Sequence, residues 1–396
     1  MEKVSLIHLR SVLNDALPAL KEEEKAFLGA IDPKGEFLFE DDDKSLPGVF
    51  FVQTGGAETQ FLAHYQDYES PYLLLVTGRR NSLAASLEIL SFLHHRGLEG
   101  KIIFGDPSYM HDEIAKYARF IKARRIFRST RLGVIGHPSD WLIASVVDYV
   151  TMKERLGIEI ENVDYQEFLD EIENIREVPY ELMERFAKKT FRKTDLYESL
   201  RIYLALKEIC RKHNLGGFTL RCFDLLNLKH ETSCLAFALL NEEGIIAGCE
   251  GDVPALISMS LGKALFGEVG FMANPSEFDM ETNSAIYAHC TCPFSFITSY
   301  TLANHFESGL GFGIRGKIRE EDCVTFKINA DASEVMALEG HIEENPVIAT
   351  LCRTQIRVKF ADSLNEIVTK PHGNHMIFHY GHHKALIKEF FAFLKQ

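Results

Sequence analysis

The chain has 396 residues, with 43 Lys and Arg against 57 Asp and Glu, a formal net charge of −14 and 46% hydrophobic residues. This is a globular composition, long enough for two or three domains that fold without disulfides or structural metals, and it excludes a peptide-sized or collagen-like chain. The acidic balance argues against nucleic acid and anionic membrane as partners, since both need clustered Lys and Arg.

Charges interrupt the first ten residues, so no signal-peptide core is expected there, and no run of roughly 18 apolar residues occurs. The expected location is the cytoplasm, where cysteines remain thiols. All eight lie beyond residue 209 and none forms a Cys-x-x-Cys pair. Core packing is the expected role of most of them.

From 49 to about 165, short β-branched or aromatic runs alternate with longer helical stretches, the pattern of a parallel sheet with crossover helices. Strands are predicted at 49–53, 72–77, 101–104, 132–135 and 158–161. Asn81 and Ser82 are read as the cap of a helix over 83–95, and Ser139 and Asp140 as the cap of one over 141–152. The stretch 179–214 has helical spacing only. Alternation then resumes, with strands at 218–222, 245–247 and 270–273 and helices at 233–241 and 253–265. Beyond 284 come strands and glycine turns, at 285–289, 323–328, 335–338 and 355–360, a spacing that fits a β-barrel or sandwich, and an amphipathic helix at 384–394. The reading is an α/β protein with two Rossmann-like parallel-sheet domains, 1–165 and 166–283, followed by an antiparallel β domain over 284–396.

Four features carry chemistry. Gly311-Phe312-Gly313-Ile314-Arg315-Gly316 satisfies G-x-G-x-x-G, but residues 317–326 alternate like a strand. A dinucleotide fingerprint must open a helix, so these are read as turn glycines. Cys249-Glu250-Gly251-Asp252 lies where a short strand ends and a helix begins, the edge at which open α/β sheets place ligands. Asp252 before Val253-Pro254 is a good N-cap, which leaves Glu250 free to act as a ligand or a base. Five of the sixteen histidines fall between 372 and 383. His375, between a glycine turn and an apolar strand, is singled out as a metal ligand or a hydrogen-bonded loop histidine. His289-Cys290-Thr291-Cys292 could join Cys249 in a soft zinc site, but no fourth ligand stands at a recognisable spacing. Neighbours on a strand point to opposite faces, so a His289–Cys290 nucleophile pair is not expected.

In this order the parts resemble the L-fucose isomerase and L-arabinose isomerase family of sugar isomerases. Residues 132–138 resemble the Gly-Gly-Pro turn of its first domains. Cys249-Glu250-Gly251-Asp252 resembles its Glu-x-Asp turn with the first metal carboxylate, His289 its histidine after the next strand pair, and Gly373-Asn374-His375 its C-terminal Gly-x-His imidazole ligand. The chain departs from the family at the second metal carboxylate, where Ala273 or Asn274 stands; Glu277 or Asp279 would have to curl back to replace it.

The resemblance implies α/β first domains, a C-terminal barrel and an aldose–ketose isomerase working through an enediolate on a sugar or sugar derivative. It implies Mn²⁺ or Mg²⁺ held by Glu250, Asn274 or Glu277, and His375, with Glu250 also the base and Asp252 orienting the turn. His289 would hold a sugar hydroxyl or support the metal from behind its ligands. It also implies a homo-oligomer, a trimer or hexamer, in which Arg79, Arg80 or His137 reaches a neighbour's site. The alternatives are a sugar-binding paralogue without turnover, and an epimerase or lyase using the same enediolate.

Overall fold

The structure, a computed structural model, describes residues 1–11, 18–190 and 192–396. The chain forms two compact units, one of Met1–Arg125 with Ala392–Gln396, the other of Ile126–Phe391.

The first unit holds a parallel sheet of β1 (Glu2–Leu9), β2 (Phe37–Asp41), β3 (Gly48–Val52), β4 (Tyr72–Val76) and β5 (Gly100–Ile103), in the order β2-β1-β3-β4-β5. Both β3 and β4 are buried at every residue, as expected of parallel strands covered on both faces. An aromatic cluster of Phe50, Phe61, Tyr65 and Tyr72 packs on one of those faces. The sequence reading missed β1 and β2. Charged residues interrupt both, while their pairing partners lie elsewhere in the chain.

The second unit opens with another parallel sheet, of β6 (Arg131–Ile135), β7 (Glu159–Val163), β8 (Gly217–Leu220) and β9 (Ile246–Gly248), in the order β7-β6-β8-β9. This differs from the predicted boundary at residue 165, which put β6 and β7 into the first sheet. Each strand has the expected local pattern, but β6 pairs with β8 in the register Leu132 to Gly217, a choice made by tertiary packing.

The chain then turns to β10 (Phe271–Asp279), β11 (Ser284–His289), the hairpin β12 (Ile297–Ala303) and β13 (Gly313–Ile318), and β14 (Asp322–Ile328), β15 (Val335–Glu344), β16 (Thr354–Phe360) and β17 (Met376–Tyr380). Six of these close an antiparallel barrel in the order β10-β11-β16-β15-β14-β17 around Phe271, Tyr287, Leu338, Ile356 and Phe378. The barrel thus begins before residue 284. The strand expected at 270–273 runs nine residues and pairs with β11 and β17, so it belongs to the barrel.

Helix Val253–Phe266 is buried almost all round and packs on β8 and β9 as well as on β14 and β17. The helix expected at 141–152 begins only at Tyr149, because Asp148 is its cap and accepts from Val150 N and Thr151 N, each at 3.2 Å. The segment before it is held elsewhere, by Ser139 N–H donating to the Glu250 carbonyl at 3.1 Å.

Candidate active site

Glu250 sits just past the carboxyl end of β9 with φ of +61°, a region that non-glycine residues rarely adopt, and Gly251 comes next at +71°. A Cβ on Gly251 would stand 2.7 Å from Pro138 Cα, so only glycine lets the turn after β6 approach this closely. The Gly251 N–H donates to the Leu220 carbonyl at 3.1 Å, tying the turn to the end of β8. The carboxyl ends of β6, β8 and β9 therefore converge on Glu250.

From the barrel side, His289 ends β11 and His375 precedes β17; the His289 ring is 3% exposed and His375 is wholly buried. One ligand atom from each of Glu250, His289 and His375 lies within 4.8 Å of the others. Ligands about 2.1 Å from a shared ion stand about 3 Å apart at right angles and about 4.2 Å apart when opposed, so the cluster is near metal-binding dimensions. Among the described residues the buried His375 Nε2 and Asn274 Oδ1 have no hydrogen-bond partner, the state in which a ligand atom waits for an ion or substrate. The donor set fits a divalent metal.

The second layer explains the orientation of each ligand. Asp252 caps helix Val253–Phe266, accepting from Ala255 N at 2.9 Å through Oδ1. Its Oδ2 accepts from Lys327 Nζ at 2.6 Å and from His375 Nδ1 at 2.8 Å. A carboxylate only accepts, so His375 carries its hydrogen on Nδ1 and, when neutral, points a lone pair from Nε2 at Glu250 Oε1, 3.7 Å away. The indole Nε1–H of Trp141 donates to the other Glu250 oxygen at 3.0 Å. Thr291 Oγ1 lies 2.9 Å from His289 Nδ1.

Charge follows from these contacts. Burial alone would raise the Glu250 carboxyl, but the facing His375, the Trp141 N–H and His289 hold it down to about 2. Burial opposes the Asp252 anion as well, yet Lys327 and His375 keep it well below the usual carboxylate range. Burial disfavours the His375 cation, but Asp252 and Glu250 push its pKa upward. Burial, with the His375 charge nearby, takes His289 down to about 4.

The cluster opens on a cavity of about 170 Å³. Its wall includes Glu250, Asn274, His289, Phe223, His305 and Glu307. Five cysteines, 222, 234, 249, 290 and 352, also line it, so most of the thiols assigned to core packing face the site. Cys249 Sγ lies 3.1 Å from Cys222 Sγ, and no thiol among the described residues joins the metal cluster.

Of the residues singled out from sequence, Glu250, His289, His375 and Asn274 come together, with Asp252 behind them. His289, expected to hold a sugar hydroxyl or to support the metal from behind its ligands, stands in the cluster itself as a third ligand candidate. Glu277 does not join: past a bulge in β10 its side chain is exposed and lies 4.0 Å from Arg357. His137 is exposed beside the Glu250 turn and accepts from Arg221 at 3.1 Å. Arg79 and Arg80 belong to the first unit, where they line a 390 Å³ cleft at the ends of β3 and β4, and Arg80 is paired with Glu23 at 2.8 Å. Sequence reasoning missed Trp141, Lys327, His305 and Glu307. The one signal for the last two was a histidine and a carboxylate grouped in the polar loop Asn304-His305-Phe306-Glu307-Ser308-Gly309.

Residues 141–264 match the family model described as L-arabinose isomerase central domain. Sulfoquinovose isomerases of Priestia aryabhattai and Priestia megaterium are each 21% identical over 325 residues, 76% of this chain and 72% of theirs. One from a Clostridium species is 23% identical over 201 residues, 48% of this chain and 44% of its own. Over these stretches the chain is similar to sugar isomerases, in line with the resemblance to the L-fucose and L-arabinose isomerase family. The matched segment carries the Glu250 turn and its helix, while both histidines of the cluster lie beyond it, at the ends of barrel strands β11 and β17.

Proposed function

We propose that the protein is a metal-dependent aldose–ketose isomerase in which Glu250, His289 and His375 hold the ion and Asn274 Oδ1 lies beside it. The observation that supports this most is the convergence of one carboxylate and two imidazoles, of which Glu250 and His289 also line a cavity. Two imidazoles favour Mn²⁺ over Mg²⁺, which prefers oxygen ligands. Bound there, the ion would supply stabilisation of the enediolate charge that forms as the carbonyl moves between adjacent carbons.

The chain's own residues divide the remaining work. A carboxylate held at about 2 is a weak base at neutral pH, so Glu250 is a better ligand than proton acceptor. Glu307, the other carboxylate on the cavity wall, is then the group that moves the proton between the two carbons. Asp252 touches no substrate; it holds the His375 tautomer. The assembly that accompanies this reading is a homo-oligomer, a trimer or hexamer, in which Arg79, Arg80 or His137 of one copy helps to shield a neighbour's enediolate from water.

The decisive experiment is a screen of aldoses and ketoses with added Mn²⁺ in heavy water, including sulfoquinovose, after which the relatives are named. A ketose formed from an aldose, in the presence of metal only, is the expected product; exchange at carbon without aldose–ketose conversion would favour an epimerase. Light scattering under assay conditions tests the assembly, which an active monomer would refute.

A further inference from the structure

The cavity holds one imidazole outside the metal cluster. His305 lies in the loop between β12 and β13, is 7% exposed, and lines the cavity together with Glu250, Asn274 and His289. Its Nδ1 is occupied: the Ser308 backbone N–H approaches it at 3.4 Å and the Ser308 Oγ at 3.1 Å. Ser308 Oγ itself accepts from Leu310 N–H at 3.2 Å, which leaves the hydroxyl hydrogen for Nδ1. Both contacts place a lone pair on Nδ1, so the neutral ring carries its hydrogen on Nε2. Among the described residues no hydrogen bond to Nε2 occurs.

The loop is built to keep the ring there. His305 N–H donates to Leu310 O at 3.0 Å, Gly309 N–H returns to His305 O at 2.9 Å, and Phe223 meets the ring edge-on at 6.0 Å. At about 170 Å³ the cavity is smaller than the roughly 300–1,000 Å³ of drug-sized pockets, and so suits a ligand of monosaccharide size.

We propose that His305 is a substrate-contacting catalytic residue, a neutral imidazole whose Nε2–H donates to the sugar oxygen on which negative charge develops. This rests on the isomerase reading. The hydrogen stays on nitrogen throughout, because Nδ1 is committed as an acceptor and deprotonating a neutral ring is costly. The ring thus polarises the carbonyl and stabilises the enediolate without entering the proton count. A donor fixed in advance at such a position typically contributes about 100-fold or more to kcat.

The test compares His305→Phe, which keeps a ring but loses the donor, with His305→Gln, which retains an N–H. Three quantities are measured on the Mn²⁺-loaded full chain: kcat on the aldose found by the screen, Kd for a panel of pentitols and hexitols, and Mn²⁺ affinity. The expected result is a loss of about 100-fold or more in kcat and weaker alditol binding for His305→Phe, partial recovery for His305→Gln, and unchanged Mn²⁺ affinity in both. Retention of kcat and alditol affinity within about threefold in His305→Phe would overturn the proposal, as would loss of Mn²⁺ binding in His305→Gln. If the wild type binds alditols but converts no aldose, the isomerase reading fails, while the Kd comparison still decides the His305 contact.

Discussion

Replacing Lys327 by methionine tests the buried charge arrangement behind the Glu250, His289 and His375 cluster. Lys327 and Asp252 side chains are both wholly buried, 2.6 Å apart, and Asp252 also holds His375. Methionine is close in length to the lysine stem, so the substitution removes charge with little loss of packing. Leaving one member of a buried pair without its partner costs about 3–5 kcal/mol, against roughly 5–15 kcal/mol for a whole domain. With a urea slope of about 1–3 kcal/mol per molar, the unfolding midpoint should fall by at least about 1 M. His375 must then balance Asp252 alone, which favours the imidazolium and weakens Mn²⁺ binding. The double variant Lys327→Met with Asp252→Asn removes both charges while keeping a helix-capping side chain, and should recover most of the lost stability. A midpoint within about 0.3 M of wild type for the single variant, or no recovery in the double one, would refute this account.

Glu250→Gln should abolish turnover and calorimetrically detectable Mn²⁺ binding while leaving the circular dichroism spectrum unchanged; retained activity would remove Glu250 from the site. His375→Ala should weaken Mn²⁺ binding by about tenfold or more, and an unchanged affinity would make it a structural histidine. Because burial is outweighed by Asp252 and Glu250 in raising the His375 pKa, the ion must displace a proton below that raised value. Mn²⁺ affinity should then fall about tenfold per pH unit on acidification, whereas a flat profile through the histidine range would contradict the assignment. Burial pushes Glu231 up to about 7, against donation from Thr232 N–H and Ser199. A raised carboxyl favours its protonated form in the fold, so its contribution is full at low pH and is lost as pH rises through about 7. Glu231→Gln should accordingly stabilise the protein at pH 8 by up to about 3 kcal/mol and do little at pH 5, measured by urea unfolding. Equal effects at both pH values would contradict that sign.

The sequence by itself determined whatever depends on near neighbours along the chain. Asp252 before Val253-Pro254 caps its helix because cap chemistry is local, and it does so with Ala255 N–H as the donor. Alternating runs located most strands from β3 onward to within a residue or two, and the strand-to-helix turn after β9 marked Glu250, since open α/β sheets place ligands at that edge. Pairing was not local. The apolar pattern of β6 suits either parallel sheet, and only packing gave it β7 and β8 as neighbours. The same limit applied to the site: Asp252 and His375 are separated by 123 positions and Asp252 and Lys327 by 75, so nothing along the chain announces a buried lysine steering an imidazole. His289 moved from an expected hydroxyl-binding or metal-supporting place to a ligand candidate, and His305 emerged in the cavity wall, because a histidine's role depends on what faces each ring nitrogen. Barrel closure and the meeting of three strand ends supply those neighbours, and they exist only in the folded chain.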